Sequence, residues 1–524
     1  MQYAGLAFVL ILAVAAYSGS LGCSFHFDDY HSIVENPNIR SAGNIPRFFT
    51  SMNMGSGDAQ GYGGYRPLVT ASLALNYLAS GLQPWSYHVF NIAVHLGVTA
   101  VIFYLTLFLA GQPGRGAYAA TLAAGLFALH PAHTNAVTYI IARSALICTF
   151  FYLLSFYLYV RFRASGKRAW AAASLVSFAA ALLSKELAVT LPLVVLLYEL
   201  LVKRDRQGRS PVLLAVFFIA GTAYAAAKYA ILVQSGRPEG VQVAASRIMA
   251  QPWVLADYLR LFVFPVNLNF YPDPPVPASF SDPAFILPMV FIAVCLALIA
   301  YLSRKDGLSA FCLAWFFVTL IPETFVNLRE PMQEYRLYLP SAGLAIMVSA
   351  AAARLYGPAA ARKVALAVAA LLLFACFAGL TFDRNKAYAD DVTLWSDAVG
   401  KSPRSGYAHA VLGGAFLDLD KNADAVRELT LAFSLNPNLP GLFKQYNNLA
   451  LALEGIGDNQ RAYELCMKSL ALAPRDVKVL TNLGFLCLRL GKREEARLYF
   501  NRVLALEPDN EGVLGVVGQM GDVK

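Results

Sequence analysis

The sequence predicts an all-α protein made of a membrane helix bundle followed by a C-terminal array of helical repeats. Of its 524 residues, 57% are hydrophobic and 14% are charged, and the mean hydropathy is +0.51. A typical soluble domain carries about 25% charged residues. The low charge therefore indicates a polytopic membrane protein, and only the last 140 or so residues have a soluble-like composition.

Eleven apolar segments are predicted to cross the membrane, all within a membrane domain at 1–382. They are 3–21, 87–110, 117–138, 146–160, 169–183, 187–202, 212–233, 285–302, 308–322, 337–353 and 364–382. His130 and Pro131 interrupt the third. The first lacks a basic region before it and is longer than a signal-peptide core, so we expect it to remain as a span. Larger outer loops are predicted at about 23–86 and 234–284.

The charges of the loops predict the orientation of the chain. Basic residues cluster in alternate loops, at 115, 161–168, 203–209, 304–305 and 354–363, and nearly all acids lie in the other loops. The positive-inside rule places the basic loops in the cytoplasm. We therefore read the net charge of +9 as a signal of topology, with no nucleic-acid partner. The expected location is a bacterial inner membrane, with the N-terminus inside and everything after residue 382 in the periplasm.

Residues 383–524 show the pattern of a tetratricopeptide-repeat solenoid. Pro474 and Pro508 are 34 residues apart, which is the period of that repeat, and Pro437 precedes Pro474 by three residues more. Small residues are expected where the two helices of each repeat cross, at Gly413/Ala425, Ala450/Ala462 and Gly484/Ala496. Flanking segments at 392–399 and 511–520 are predicted to cap the stack. Concave surfaces of such arrays bind partners; the alternative is a soluble tail without a partner.

Two adjacent aspartates, Asp28 and Asp29, directly follow the first predicted span. Carboxylates at the end of a membrane span are costly to place close to lipid, so they suggest a functional site. The simpler reading is the start of a solvated loop. A carboxylate here has the chemistry to take the proton of an incoming hydroxyl group, as a general base.

Further polar residues recur at the outer ends of the predicted spans. The candidate holders of an anionic leaving group, such as a lipid phosphate, are Arg66, Arg143, Lys185 and Arg336. The candidate supporting residues are His88, His130, His133, Glu186 and Glu334. Simpler readings stay open, because His88 also suits helix packing and Lys185 with Glu186 suits an ion pair between helices.

The same residues predict no cofactor, and a divalent metal stays open as an alternative. His88, His130 and His133 have the chemistry to ligate a metal, but no carboxylate lies at metal-site spacing from them. The seven cysteines are scattered without CxxC spacing. The chain also contains no glycine-rich phosphate loop, and transfer from a lipid phosphate requires no nucleotide.

Several stretches resemble one known family. They are FHFDDYHSIVENPNIR, FALHPAHTNAVTYIIARSAL, LLSKELAVTLPLVVLLYEL and EYRLYLPSAGL. In these, and in the repeats that follow, the chain resembles the O-mannosyltransferases that combine transmembrane helices with tetratricopeptide repeats. The resemblance implies a GT-C fold, a sugar donor on a polyprenyl or dolichyl monophosphate, and a catalytic acid at Asp28–Asp29. The chain departs from its relatives at Asn135, at Ala145 and in the placing of Arg336.

The expected function is therefore the transfer of a hexose, mannose or a similar sugar, from a polyprenyl-monophosphate donor to Ser or Thr hydroxyls of exported proteins. The repeats would present the protein acceptor. One alternative keeps the chemistry but acts on lipid A or a surface polysaccharide. Another is a non-catalytic membrane scaffold. A transporter lacks support, because the sequence shows no inverted repeat.

The loop charges make a testable prediction about topology. A reporter fused after Lys524 should be active only outside the cytoplasm, because the basic loops fix the opposite side of the membrane. The measurement compares a periplasm-active and a cytoplasm-active reporter at the same position. Activity of the cytoplasmic reporter alone would contradict the orientation and the mechanism that depends on it.

Overall fold

The computed structural model describes residues 3–521 apart from 52–53, 57–63, 112–113, 205–209, 235–244, 326–329 and 331. The chain forms two compact units. The membrane unit comprises Met1–Phe270 and Pro274–Asp390, and the repeat unit comprises Tyr271–Asp273 and Asp391–Lys524. Helices and irregular loops make up the described part of both units, so the all-α prediction is confirmed.

The membrane unit contains fourteen α-helices among its described residues. They are α1 Ala4–Tyr17, α2 Pro67–Ser80, α3 Pro84–Ala110, α4 Arg115–Ala128, α5 Thr134–Thr138, α6 Arg143–Ser165, α7 Arg168–Leu182, α8 Leu191–Leu201, α9 Pro211–Gln234, α10 Ala245–Val263, α11 Pro283–Lys305, α12 Gly307–Phe325, α13 Tyr338–Ala353 and α14 Ala360–Asn385. Short 3₁₀ or π turns stand between many of them, and four of the candidate site residues lie in these turns: His133, Glu186, Glu334 and Arg336.

Eight helical segments of the described residues are long and apolar enough to cross a membrane. The count of eleven spans is therefore not confirmed. The predicted spans at 117–138, 169–183 and 187–202 contain α-helices of 14, 15 and 11 residues. A crossing needs about 20 residues. The first of the three is broken at His130–Pro131, as its sequence suggested, and the third begins as the 3₁₀ turn Glu186–Thr190.

The loop between α1 and α2 is held by its own small apolar core. Phe25, Ile33 and Phe48 are buried together with Tyr87 of α3 and Ile140 next to α6. The rings of Phe25 and Tyr87 meet edge to face at 5.4 Å between centroids, a favoured aromatic geometry. This core fixes the stretch of chain that contains Asp28 and Asp29.

The repeat unit contains eight helices within its described residues, which end at residue 521. They are α15 Asp391–Lys401, α16 Gly406–Leu417, α17 Asn422–Leu435, α18 Leu442–Gly455, α19 Asn459–Leu472, α20 Val477–Arg489, α21 Arg493–Leu506 and α22 Glu511–Gly521. Within the pairs, the predicted small residues lie at close crossings. A Cβ on Gly484 would stand 2.3 Å from the ring of Phe500, and one on Gly413 would stand 2.6 Å from Leu429. A larger residue would push the paired helices apart.

Candidate functional site

Asp29 is a buried anchor of the first loop. Its side chain has no exposed area, and both carboxylate oxygens accept backbone hydrogen bonds. Oδ2 accepts from the N–H of His26 at 2.9 Å, and Oδ1 accepts from the N–H of Ile141 at 2.8 Å. Asp29 therefore ties the loop to the turn that leads into α6, because it satisfies two buried donors that would otherwise be costly.

The titration of Asp29 and its geometry suggest different roles. Burial raises the pKa of its carboxyl group to about 7, although the His26 and Ile141 donors act in the opposite direction. A pKa near 7 suits a general base, yet a base must first be within reach of the proton that it removes. Both oxygens of Asp29 accept backbone hydrogen bonds and the residue is enclosed, so its carboxylate does not reach a substrate proton and we assign Asp29 a structural role.

Asp28 is the accessible member of the pair. Its side chain is 44% exposed, and Oδ1 lies 3.1 Å from Nε2 of His31. Its backbone N–H donates to the hydroxyl of Tyr139 at 3.1 Å. The preceding residue, Phe27, has φ of 47°, a conformation that L-residues with side chains rarely adopt. Such local strain costs about 1–3 kcal/mol and is often found at functional sites.

A second group of charges surrounds Glu323 at the end of α12. Lys185 Nζ lies 2.5 Å from Oε1 of Glu323, and Arg336 Nε lies 3.0 Å from Oε2. The side chains of all three are 6% exposed or less. Burying such cations is costly unless a carboxylate compensates their charge. Glu323 supplies that compensation to two cations at once.

A third pairing involves Glu186, the residue next to Lys185. Arg66 Nη2 lies 3.3 Å from Oε2 of Glu186, and Lys228 of α9 contacts Oε1. Burial alone would raise the pKa of Glu186, but Arg66 and Lys228 hold it below its usual range. Arg66 and Lys228 are 25% and 26% exposed, so they are more accessible than the pair around Glu323.

These contacts form one assembly, which we call the cationic cluster. Its members are Arg66, Lys185, Lys228, Arg336, Glu186 and Glu323. Arg66 interacts electrostatically with Glu323 as well as with Glu186, and Lys185 lies over the ring of Tyr335 at 4.8 Å. Four cations surround two carboxylates. Even with Glu330, which interacts with Arg336 at the border, the cluster keeps an excess of positive charge.

Tyr139 lies between the aspartates and the border of the cluster. Burial, together with the carboxyl groups of Asp28, Asp29 and Glu330, raises the pKa of Tyr139 well above its ordinary value. Three carboxyl groups are thus near one phenol. The carbonyl of Glu330 in turn accepts a hydrogen bond of 2.8 Å from Nη1 of Arg336. Asp28 therefore contacts Tyr139 directly, and Tyr139 interacts electrostatically with Glu330 at the border of the cationic cluster.

Of the four cations singled out in the sequence, Arg143 is occupied elsewhere. It is fully buried, and its guanidinium donates to Asn91, Ser72 and the carbonyl of Tyr87. The guanidinium also lies 4.3 Å from the ring centroid of Phe90. These contacts fasten α6 to α2 and α3, so we leave Arg143 out of the proposed phosphate site. Glu334 likewise accepts the backbone N–H of Asn269 at 2.5 Å.

Sequence reasoning misses two members of the cluster. Lys228 is a lone cation in the apolar helix α9, and Glu323 follows Pro322 near the end of α12. Both are ionisable residues in apolar helices, which by itself marks a functional or paired residue. That signal is present in the sequence, but it does not tell which carboxylate each cation meets.

The candidate supporting histidines form hydrogen bonds between segments of the membrane unit. Each ring donates to or accepts from a group on another segment: His88 meets the carbonyl of Cys23, His130 the carbonyl of Phe262, and His133 the carbonyl of Phe127 and the hydroxyl of Ser341. Among the described residues, no group of three or more His, Cys, Asp or Glu side chains is arranged to hold a metal ion.

Comparisons with known proteins show which family the chain resembles. Residues 49–232 match the family described as dolichyl-phosphate-mannose-protein mannosyltransferase, and residues 477–510 match a tetratricopeptide repeat. The chain is 25% identical to Protein O-mannosyl-transferase TMTC3 of Mus musculus, over 96% of this chain and 60% of that protein. It is 31% identical to Protein O-mannosyl-transferase Tmtc2 of Drosophila melanogaster, over 51% of this chain and 29% of that protein.

The predicted resemblance to the O-mannosyltransferases with transmembrane helices and tetratricopeptide repeats is confirmed. The chain spans less than two thirds of the length of the relatives named above. Among solved structures, similarity is found to an oligosaccharyltransferase of Archaeoglobus fulgidus, with a TM-score of 0.41 at 14% identity, over 74% of this chain and 56% of that one. ArnT of Cupriavidus metallidurans bound to undecaprenyl phosphate gives 0.38 at 14% identity, over 89% of this chain and 80% of that one.

The different roles of the two aspartates predict different losses of unfolding free energy when each is replaced by alanine. Asp29→Ala leaves the N–H groups of His26 and Ile141 without their acceptor, so we expect a loss of about 2–5 kcal/mol and a clearly lower Tm. The matched control, Asp28→Ala, removes only a part-exposed contact and should cost less than about 1 kcal/mol. Thermal unfolding of both purified variants tests this. Equal Tm values would contradict the assignment.

Proposed function

We propose that this protein transfers a sugar from a polyprenyl-monophosphate donor to a hydroxyl group of an exported protein. The observation that carries the proposal is the cationic cluster, in which four cations share two carboxylates. The match of residues 49–232 to dolichyl-phosphate-mannose-protein mannosyltransferases supports the same reaction class. A GT-C fold in the membrane unit and a location in a bacterial inner membrane belong to this proposal.

The excess positive charge of the cluster suits the leaving group. A phosphodiester donor carries one negative charge, and the departing polyprenyl monophosphate carries about two. Fixed cations that face this growing charge favour the transition state over the ground state. Arg66 and Lys228 would contact the phosphate, since about a quarter of each side chain is exposed. Lys185 and Arg336 are almost fully buried, so they would not contact the phosphate but would add to the positive electrostatic potential around it.

Asp28 is the general base in this proposal. The oxygen of the acceptor hydroxyl forms a bond to the anomeric carbon of the sugar, and its proton passes to the Asp28 carboxylate. The bond between the anomeric carbon and the phosphate oxygen breaks, and its electron pair leaves with the polyprenyl phosphate. Asp28 suits this role because it is part exposed, whereas Asp29 has both oxygens engaged.

The repeats would bind the protein acceptor, in keeping with the known use of such arrays as partner-binding surfaces. Mannose is the sugar that we propose, following the names of the relatives. A lipid A or polysaccharide acceptor remains the second candidate for the same chemistry.

A transfer assay with the full chain tests the reaction. With undecaprenyl phosphate mannose and a Ser/Thr-rich peptide, we expect Asp28→Asn to lower kcat about 10²–10⁴-fold, because the base is lost. Lys228→Gln should lower it about 10²-fold, because one cation no longer faces the leaving group. The matched control Lys386→Gln removes an exposed, surface-paired cation and should leave kcat unchanged. A wild-type rate in Asp28→Asn would rule out Asp28 as the base, whereas no transfer by the wild-type chain would support the scaffold reading.

A deletion tests the role of the repeats. Removing 405–524 should abolish transfer to a folded protein acceptor but spare transfer to a short peptide at millimolar concentration, since the repeats raise the effective concentration of the acceptor. The two acceptors are compared in one preparation. Equal loss with both would mean that the repeats support folding of the membrane unit, and unchanged activity with both would remove the acceptor-binding role.

A further inference from the structure

His31 lies beside the proposed base on an unusual turn of the chain. Residues Tyr30–Val34 form one π-helical turn, in which the N–H of Glu35 donates to the carbonyl of Tyr30 at 2.8 Å. Single π turns are rare and are frequently found at functional sites. Here the turn brings the ring of His31 next to Asp28, three residues earlier, with Nε2 at 3.1 Å from Oδ1.

The other ring nitrogen of His31 is fixed by two serines. The hydroxyl of Ser32 lies 3.1 Å from Nδ1, and that of Ser56 lies 3.2 Å from the same atom. Both serines are almost fully buried, so their hydroxyl groups require partners. The Ser56 hydroxyl also donates to the carbonyl of His31 at 3.4 Å, so the Ser32 hydroxyl is the one that we assign as the donor to Nδ1. A hydroxyl that donates to Nδ1 leaves the ring proton on Nε2. We therefore assign the tautomer in which Nε2–H donates to the Asp28 carboxylate.

This hydrogen bond limits the freedom of Asp28. The Asp28 side chain is 44% exposed and belongs to a loop, so without a partner its carboxylate would sample several rotamers. With Oδ1 held by His31, Oδ2 is the oxygen left for an incoming proton, and no residue in the described part of the chain hydrogen-bonds it. Misplacing a reacting group by about 1 Å can cost about 10² in rate.

We propose that His31 is a positioning residue that holds the Asp28 carboxylate for proton removal from the acceptor hydroxyl, with Ser32 and Ser56 fixing its ring. This inference rests on the proposed function. The acceptor proton goes to Oδ2 of Asp28, the acceptor oxygen bonds to the anomeric carbon, and the phosphate leaves with the bonding electrons. His31 keeps its own proton throughout and exchanges none with the substrate.

The test uses the full chain with undecaprenyl phosphate mannose and an acceptor peptide. His31→Ala should lower kcat about 10–100-fold, while the KM for the donor stays within about twofold, because the donor phosphate is bound elsewhere. His31→Gln places an amide N–H near the position of Nε2 and should recover most of the lost rate. Added imidazole should partly restore His31→Ala. A residue with a purely structural role would show neither recovery.

A double-mutant comparison shows whether His31 acts through Asp28. In an Asp28→Asn background, the further change His31→Ala should have no effect on the residual rate, since the carboxylate to be held is already absent. Full additivity would overturn the proposal, as would a normal kcat in His31→Ala. If the wild-type protein transfers no sugar, the proposed function fails. If it does and His31→Ala is unimpaired, only the inference about His31 fails.

Discussion

The sharing of carboxylates among buried cations is the constraint on which this membrane unit depends. Lys185 and Arg336 have exposures of 3% and 2%, and both meet the single carboxylate of Glu323. An uncompensated buried charge costs several kcal/mol, so these three residues must stay together wherever the helices pack. The requirement brings the turn before α8, the end of α12 and the turn before α13 to one point. Glu186 then adds the start of α2 and the C-terminal half of α9 through Arg66 and Lys228.

The sharing of carboxylates also leaves the cluster with fixed cations in excess, an arrangement that suits the binding of an anion. A bundle that only needed stability would balance its charges one to one or replace them with apolar side chains, which is often as stable. The cluster keeps more cations than carboxylates, and its two most exposed cations, Arg66 and Lys228, share Glu186, which is itself 33% exposed. A phosphate that binds there would compete with a carboxylate for cations already in place, and this requires little reorganisation of the protein.

The two adjacent aspartates differ in their surroundings, and this difference underlies the separate roles that we propose for them. Asp29 faces inward and is engaged by two backbone N–H groups, and these contacts hold the loop against α6. Asp28, next in the chain, is part exposed and follows Phe27, whose backbone is strained. The edge-to-face contact of Phe27 with Phe270, at 6.3 Å, helps to hold that conformation. A rigid neighbour thus supports the part-exposed carboxylate that we propose as the base.

Features that depend on local pattern could be predicted from the sequence. The 34-residue period and the small residues Gly413 and Gly484 predicted the repeat pairs, because helix crossings leave no room for a Cβ there. Features that depend on which side chains contact each other across the fold could not be predicted from the sequence. The sequence does not show that Arg143 is used by Asn91 and Ser72 while Lys228 joins Glu186, since these contacts join residues far apart in the chain. The span count differed because three apolar segments form shorter helices.

The central claim is that the cationic cluster holds the phosphate of the lipid donor. The most direct measurement is a cryo-EM structure of the full chain in lipid nanodiscs with undecaprenyl phosphate added. The account predicts phosphate density within about 3 Å of the side-chain nitrogens of Arg66 and Lys228, the range of a charge-assisted hydrogen bond. Density for the lipid phosphate at another site, with the ion pairs of Glu186 unchanged, would contradict it.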